Sequence, residues 1–132
     1  MLRRVRYLAT AVALLVLAGC GEQGPSPEQQ VRDAVAEFGR ATAAKDYRRL
    51  CDRLLAPSLI EEVESIGLPC EVALRQGLGQ VRDPRLTIGR IVVRDDRASA
   101  QVRTTAAGEQ PSEDTLELVD VDGSWKISSL GT

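Results

Sequence analysis

Two hydrophobic rhythms divide the chain, a helical one up to about residue 79 and a strand one from residue 85 onward. Val31, Ala34, Val35, Phe38 and Ala41 recur at spacings of three and four, which puts them on one helical stripe. Arg32, Asp33, Glu37 and Arg40 fall mostly off it. Ser26 caps this helix, Pro27 suits its first position, and Gln29 completes a Ser-x-x-Gln capping box. The spacing predicts a helix over residues 27–45. Asp46 is the cap expected for a second helix carrying Tyr47, Leu50, Cys51, Leu54 and Leu55. Pro57 opens a third short helix with Leu59, Ile60 and Val63 on its apolar side, and the Gly67-Leu68-Pro69 run breaks it. A fourth, over residues 70–77, carries Val72, Ala73 and Leu74 and stops at Gly77 and Gly79.

From Arg85 the alternation has period two, with one slip. Leu86 and Ile88 share a face, while Ile91 and Val93 share the next register. One extra residue near Gly89 and Arg90 restores a common face, so a β-bulge is predicted there. With a tight turn at Asp95-Asp96, Val93 pairs with Ala98 and Ile91 with Ala100. Past the bulge, Ile88 pairs with Val102 and Leu86 with Thr104, which places all eight on one face. Residues 106–112 read as a polar loop and 115–119 as a third strand. Asp122-Gly123 is a hairpin turn leading to a fourth strand over 125–128, with Leu118 opposite Ile127.

Helices first and a strand meander afterwards predict an α+β domain, with N-terminal helices packed on a curved four-stranded antiparallel sheet. The 132 residues leave room for one domain, and 43% hydrophobic residues suffice for its core. The formal net charge is −2, and the acidic balance lacks the electrostatic footprint of a nucleic-acid binder. Histidine is absent, which removes the commonest general base and metal ligand.

The first residues change the picture. Arg3, Arg4 and Arg6 precede an apolar run, over residues 7–17, too short to span a bilayer. Leu17-Ala18-Gly19-Cys20 follows and resembles the lipobox of bacterial lipoproteins. The resemblance implies a diacylglycerol on the Cys20 sulfur and cleavage just before it. It predicts a signal peptide over 1–19, a lipidated cysteine and tether over 20–27, and a domain over 28–132. The tether, rich in Gly and Pro, is short and holds the domain close to the membrane. The expected location is the outer face of the cell membrane, and two or more acyl chains make such an anchor stable.

With Cys20 taken by lipid, Cys51 and Cys70 remain in an oxidising setting, where two thiols pair. A disulfide between them is expected to contribute roughly 3 kcal/mol on the chain-entropy account. Two thiolates without histidine fall short of the four ligands of a zinc site.

The long first helix, the Lys45-Asp46-Tyr47 start of the second, the helix bearing Cys51, and a curled sheet ending in Asp122-Gly123-Ser124-Trp125-Lys126-Ile127 resemble the nuclear-transport-factor-2-like, or cystatin-like, superfamily. Within it the chain looks like small actinobacterial lipoproteins, which share their shape with SnoaL-like and steroid-isomerase-like proteins. With 15 Arg against 2 Lys and abundant Ala, the composition fits a GC-rich bacterial genome. The resemblance implies a conical sheet whose mouth holds a small apolar ligand, and enzymatic members place an Asp, Tyr or His inside that cone. Tyr47 and Asp52 lie near the expected mouth, yet Asp46 and Asp52 read more simply as a cap and a solvated face, and no catalytic residue is assigned. Glu61, Glu62 and Glu64 read as a solvated acidic helix face rather than a cation site. The inward strand positions are nearly all apolar, which suits a filled core and a lipid pocket equally.

Three functions compete: a non-catalytic module binding a small apolar ligand or an envelope protein, a small isomerase- or cyclase-type enzyme, and a structural envelope protein with a filled core. The absence of histidine, of a free thiol pair and of a glycine-rich phosphate loop favours the first and third, and no cofactor is expected. Replacing Cys20 by Ala should abolish labelling by a lipid probe and leave unprocessed precursor. Labelling that persists in the variant rules out the anchor at this position.

Overall fold

The computed structural model describes residues 24–131. The expected signal peptide, Cys20 and most of the tether lie outside the described residues. Helix α1 spans Pro27–Ala43. Ser26 Oγ accepts from the Gln29 backbone N–H at 3.1 Å, the cap that the sequence predicts. The reciprocal half of the capping box does not form. Gln29 Nε2 donates instead to Asp33 Oδ1 at 2.9 Å, a charged acceptor one turn ahead.

Helix α1 stops two residues short of the expected Lys45. Lys45 takes φ 55°, its N–H reaches the Thr42 carbonyl, and the Asp46 N–H reaches that of Ala41. This is a Schellman ending with a lysine where glycine is usual. The lysine is retained in that strained conformation by a tertiary tie: Nζ donates to the Gly79 carbonyl at 2.8 Å, at the far end of the helical half. The turn also frees Asp46 to cap the next helix through the Arg49 N–H. Glu37 meets Arg40 within α1 and Arg49 Nε at 2.6 Å beyond it. The hydrogen bond from Arg40, reinforced by the charges of Arg49 and Arg40, holds the Glu37 carboxyl below the usual carboxylate range against the opposing effects of desolvation and of Asp46.

Helix α2 is only Tyr47–Arg49, and it runs into a π-helical turn, Leu50–Leu54, rather than the expected α-helix. The Leu55 N–H bonds to the Leu50 carbonyl, one residue wider than α spacing. The wider turn lets Leu50, Cys51 and Leu55 all face inward, with exposures of 1%, 9% and 2%. Helix α3, Pro57–Glu64, and helix α4, Cys70–Leu78, follow. Helix α4 continues through Gly77 and is capped at Gly79. Pro69 offers no side-chain cap, and Glu64 supplies one by accepting from the Cys70 N–H at 3.0 Å.

The sheet comprises β1 Arg85–Arg94, β2 Arg97–Thr105, β3 Ser112–Val121 and β4 Ser124–Ser129, all antiparallel in the order β1-β2-β3-β4. The expected β1–β2 pairs form: Leu86 with Thr104, Ile88 with Val102, Ile91 with Ala100, and Val93 with Ala98. The register shifts between Ile88 and Ile91, where the bulge is predicted. Leu118 lies opposite Ile127, as expected. A second shift, between Glu117 and Leu118, leaves Ser128 as an extra residue on β4 and bends the sheet again. The Asp122-Gly123 turn carries φ 52° and 85°, the left-handed pair that a tight hairpin requires. The third strand starts at Ser112 rather than Thr115, so the expected loop is shorter.

Helix α1 lies on the inner face of the sheet, with Val31 and Val35 fully buried. It approaches β1 closely, since a Cβ on Gly39 would stand 3.3 Å from Leu86 Cβ. The free edge of β4 is covered by Leu55, bridged in parallel to Ile127, and by the Ala56 N–H bonded to the Ile127 carbonyl. Among the described residues every buried side chain falls between Val31 and Ile127. Among the described residues the core is thus closed by the helices and the sheet themselves.

Cys51 and Cys70 are bridged, with a Cα separation of 6.1 Å. The bond fastens the π-turn to the start of α4. Reducing it should lower the unfolding free energy by about 3 kcal/mol. Urea denaturation of the domain with and without reductant measures the difference, and an unchanged midpoint would mean that packing alone holds the two segments.

Candidate functional site

Strand alternation builds the site. On β3 the inner-face positions run Leu118, Leu116, Asp114, Ser112; on β2 they run Ala98, Ala100, Val102, Thr104. The first members of each series are buried and apolar, and the last are polar and half-buried or exposed. The inner face therefore changes character along its length. At the Ala98 and Leu118 end it is filled by the core. At the other end the helices stand off it and leave a cavity of about 290 Å³, partly open to solvent.

Leu50 and Leu55 of the π-turn, Leu74 of α4, and Val102 and Leu116 of the sheet form its apolar wall. Phe38 of α1, Leu78 of α4 and Leu130 near the chain's end complete it. Leu50, at the start of the π-turn, and Leu55, just past its end, both reach the cavity. The filled-core and pocket patterns that alternation leaves open are thus both present, at opposite ends of one sheet face.

The polar rim is hydrogen-bonded. Ser112 Oγ donates to Asp114 Oδ2 at 2.9 Å, and the Thr104 and Ser112 hydroxyls are 2.7 Å apart. Thr104 and Ser112 are direct cross-strand partners, and Asp114 lies opposite Val102. Glu109 and Gln110, from the β2–β3 loop, also reach the rim. Gly131 closes over Asp114, and a Cβ there would lie 3.1 Å from Asp114 Cβ. With φ 89°, the position demands glycine on both counts.

The residues singled out in the sequence lie elsewhere. Tyr47 is buried in the core but does not line the cavity; Arg75 sits over its ring at 5.9 Å, and its hydroxyl meets no partner. Asp52 is on the surface beside Arg48 at 3.4 Å. The expectation that these two flank a cone mouth is therefore corrected: Tyr47, on α2, packs into the core, Asp52, on the π-turn, faces solvent, and neither lines the cavity. Glu61, Glu62 and Glu64 are exposed, and Glu64 is engaged by the Cys70 N–H. No group of three or more acidic or cysteine side chains able to hold a metal occurs among the described residues. Asp114, Ser112 and Thr104 form the hydrogen-bonded polar cluster of the cavity, which Thr42, Thr105, Glu109 and Gln110 also line, and the expected third strand begins only after Asp114. Extending the Leu118, Leu116 alternation backwards by two steps would have found it.

No protein-family model matches the chain, and no curated protein matches it in sequence. Among solved structures, the chain is similar to a de novo designed NTF2 fold protein, NT-9, with a TM-score of 0.54 and 14% identity over 80% of this chain and 87% of that one. A second similarity is to TsrD from Streptomyces laurentii, with a TM-score of 0.48 and 20% identity over 81% of this chain and 94% of that one. The domain has an NTF2-like fold: four helices on a four-stranded antiparallel sheet.

Because the Tyr47 hydroxyl meets no partner, removing it forfeits no hydrogen bond. Tyr47→Phe should unfold within about 0.5 kcal/mol of the unmodified domain, or slightly higher. A loss above about 1 kcal/mol in thermal or urea unfolding would show that the hydroxyl is satisfied after all.

Proposed function

We propose that this protein is a lipid-anchored lipoprotein of the cell envelope whose domain binds a small, mainly apolar ligand without transforming it. The observation that carries the reading is the cavity of about 290 Å³ between α4, the π-turn and the sheet, walled by leucines and rimmed by a few polar groups. That is the composition and nearly the size of pockets that take small molecules. A pocket of this size, only partly open to solvent, suits a small molecule better than a protein segment, and it weighs against a wholly filled core. Anchoring rests on the Leu17-Ala18-Gly19-Cys20 motif behind its basic and apolar segments.

A second reading, a proton-transfer enzyme of the isomerase or cyclase type, is favoured by one feature: Asp114 stands on the cavity wall with an oxygen free to accept a proton. It is weaker because such chemistry also needs a strong donor to stabilise the enolate formed when the base removes a proton. The groups beside Asp114 are two alcohols, and the chain has no histidine.

The test is a neutral fluorescent probe, N-phenyl-1-naphthylamine, titrated into the domain over residues 21–132. A saturable blue-shifted signal of one-to-one stoichiometry is expected. Leu78→Trp, which fills the cavity from its α4 side, should weaken binding at least about tenfold while leaving the unfolding midpoint close to that of the parent. Binding unaffected by this change would place the probe elsewhere and remove the support for the cavity. Turnover of a polyketide- or steroid-like ketone, lost in Asp114→Asn, would establish the enzyme instead.

A further inference from the structure

Resting on the binding reading above, we infer that the ligand's polar end is a cationic amine, held by Asp114 with its apolar body toward the π-turn. The argument begins with proton counting at the rim. A hydroxyl has one hydrogen to donate. Ser112 gives its hydrogen to Asp114 Oδ2, so at the 2.7 Å contact Thr104 must be the donor and Ser112 the acceptor. Both hydroxyl hydrogens are consumed within the cluster. What this cluster presents toward the cavity is acceptor capacity, the second oxygen of Asp114 and the lone pairs of Thr104; the donors of Gln110 and Thr105, elsewhere on the lining, take no part in these bonds. A ligand must therefore bring donors, and an ammonium group brings three with no acceptor to leave unpaired.

Charge points the same way. The residues around the cavity include the carboxylates of Asp114 and Glu109 and no lysine or arginine, in a chain that carries 17 basic residues. A carboxylate or phosphate head seated at Asp114 would meet like charge from Asp114 and Glu109, which sets it at a disadvantage. An alcohol would give one hydrogen to the carboxylate but bring no opposite charge to it. The remaining wall is apolar, and the volume of about 290 Å³ equals that of roughly ten water molecules. That accommodates an amine with an apolar body of about eight or nine heavy atoms.

The experiment uses three probes of one chain length, octylammonium, 1-octanol and octanoate, each displacing N-phenyl-1-naphthylamine from the domain over residues 21–132 at neutral pH. Octylammonium should displace the dye at a concentration about tenfold below octanoate, with octanol between them, since Asp114 is half-buried and its pairing partly screened. Asp114→Asn should collapse that difference and keep the dye site. Glu109→Lys, on the exposed β2–β3 loop and therefore safe for folding, should shift the preference toward octanoate. Equal displacement by all three, or a preference for octanoate, overturns the amine while leaving the binding cavity intact. Failure of the dye itself to bind removes the cavity reading, and the amine with it.

Discussion

A four-stranded sheet with one apolar face must have that face covered, and here the cover is assembled from unequal pieces. Neighbouring strands lie about 4.8 Å apart and helices pack about 10 Å apart, so a face of this width needs roughly two helical rows. Helix α1, with 17 residues, supplies one row. No second helix of comparable length exists among the described residues. The other row is a composite of the π-turn, α3 and α4, none longer than nine residues. Short helices are marginal by themselves and depend on tertiary ties. The rest of the structure follows from how that second row is held.

The ties are specific. Cys51–Cys70 fastens the π-turn to α4, and the Glu64 carboxylate caps α4 across the intervening break. Lys45 Nζ reaches the Gly79 carbonyl and so binds the end of α1 to the end of α4. Lys126 Nζ reaches the Arg53 carbonyl at 2.7 Å and anchors the π-turn to β4. The chain's two lysines thus both donate to backbone carbonyls at helix ends, where a compact ammonium on a flexible stem is suited to the task. Held this way, the composite row seals the Leu118 end of the sheet and stands clear of the Leu116 to Ser112 end. The cavity is the volume left by that incomplete cover.

Much of this was legible in the residues, and the failures have physical causes. The β1–β2 register was readable because one slipped alternation admits a single repair, an extra residue near Gly89, and the repair aligns four cross-strand pairs together. The start of α1 was readable from Ser26 and Pro27, whose roles are local. The π-turn was not, because Leu50, Cys51, Leu54 and Leu55 also fit α spacing, and only burial against the sheet selects the wider turn. Asp114 was missed because Ser112, Glu113 and Asp114 are polar, so the expected loop runs to Ser112 and the expected strand begins only at Thr115; their strand character comes from pairing with Thr104, Arg103 and Val102. The placing of Tyr47 and Asp52 at a cone mouth came from family likeness rather than from contacts, and it was the part that the geometry overturned.

The polar ends of β2 and β3 account for how one alternating pattern serves both stability and binding. Burying a carboxylate and two hydroxyls in a sealed core would cost several kcal/mol unless each were satisfied. Here they sit where the cover is absent, half in solvent, and satisfy one another in a chain that ends on Asp114. The neighbouring outer face carries its own compensation: Arg103 bridges Glu113 at 2.9 Å across the same two strands, on the side away from the cavity. Arginines are concentrated in the β1–β2 hairpin, at Arg85, Arg90, Arg94, Arg97 and Arg103, and those on β2 alternate outward. The inner face is thereby kept free of cations although the chain is rich in arginine. The acidic, cation-free rim is a consequence of strand parity: the side that must face the core cannot take arginine, and the two positions of β3 that escape the core carry a hydroxyl and a carboxylate.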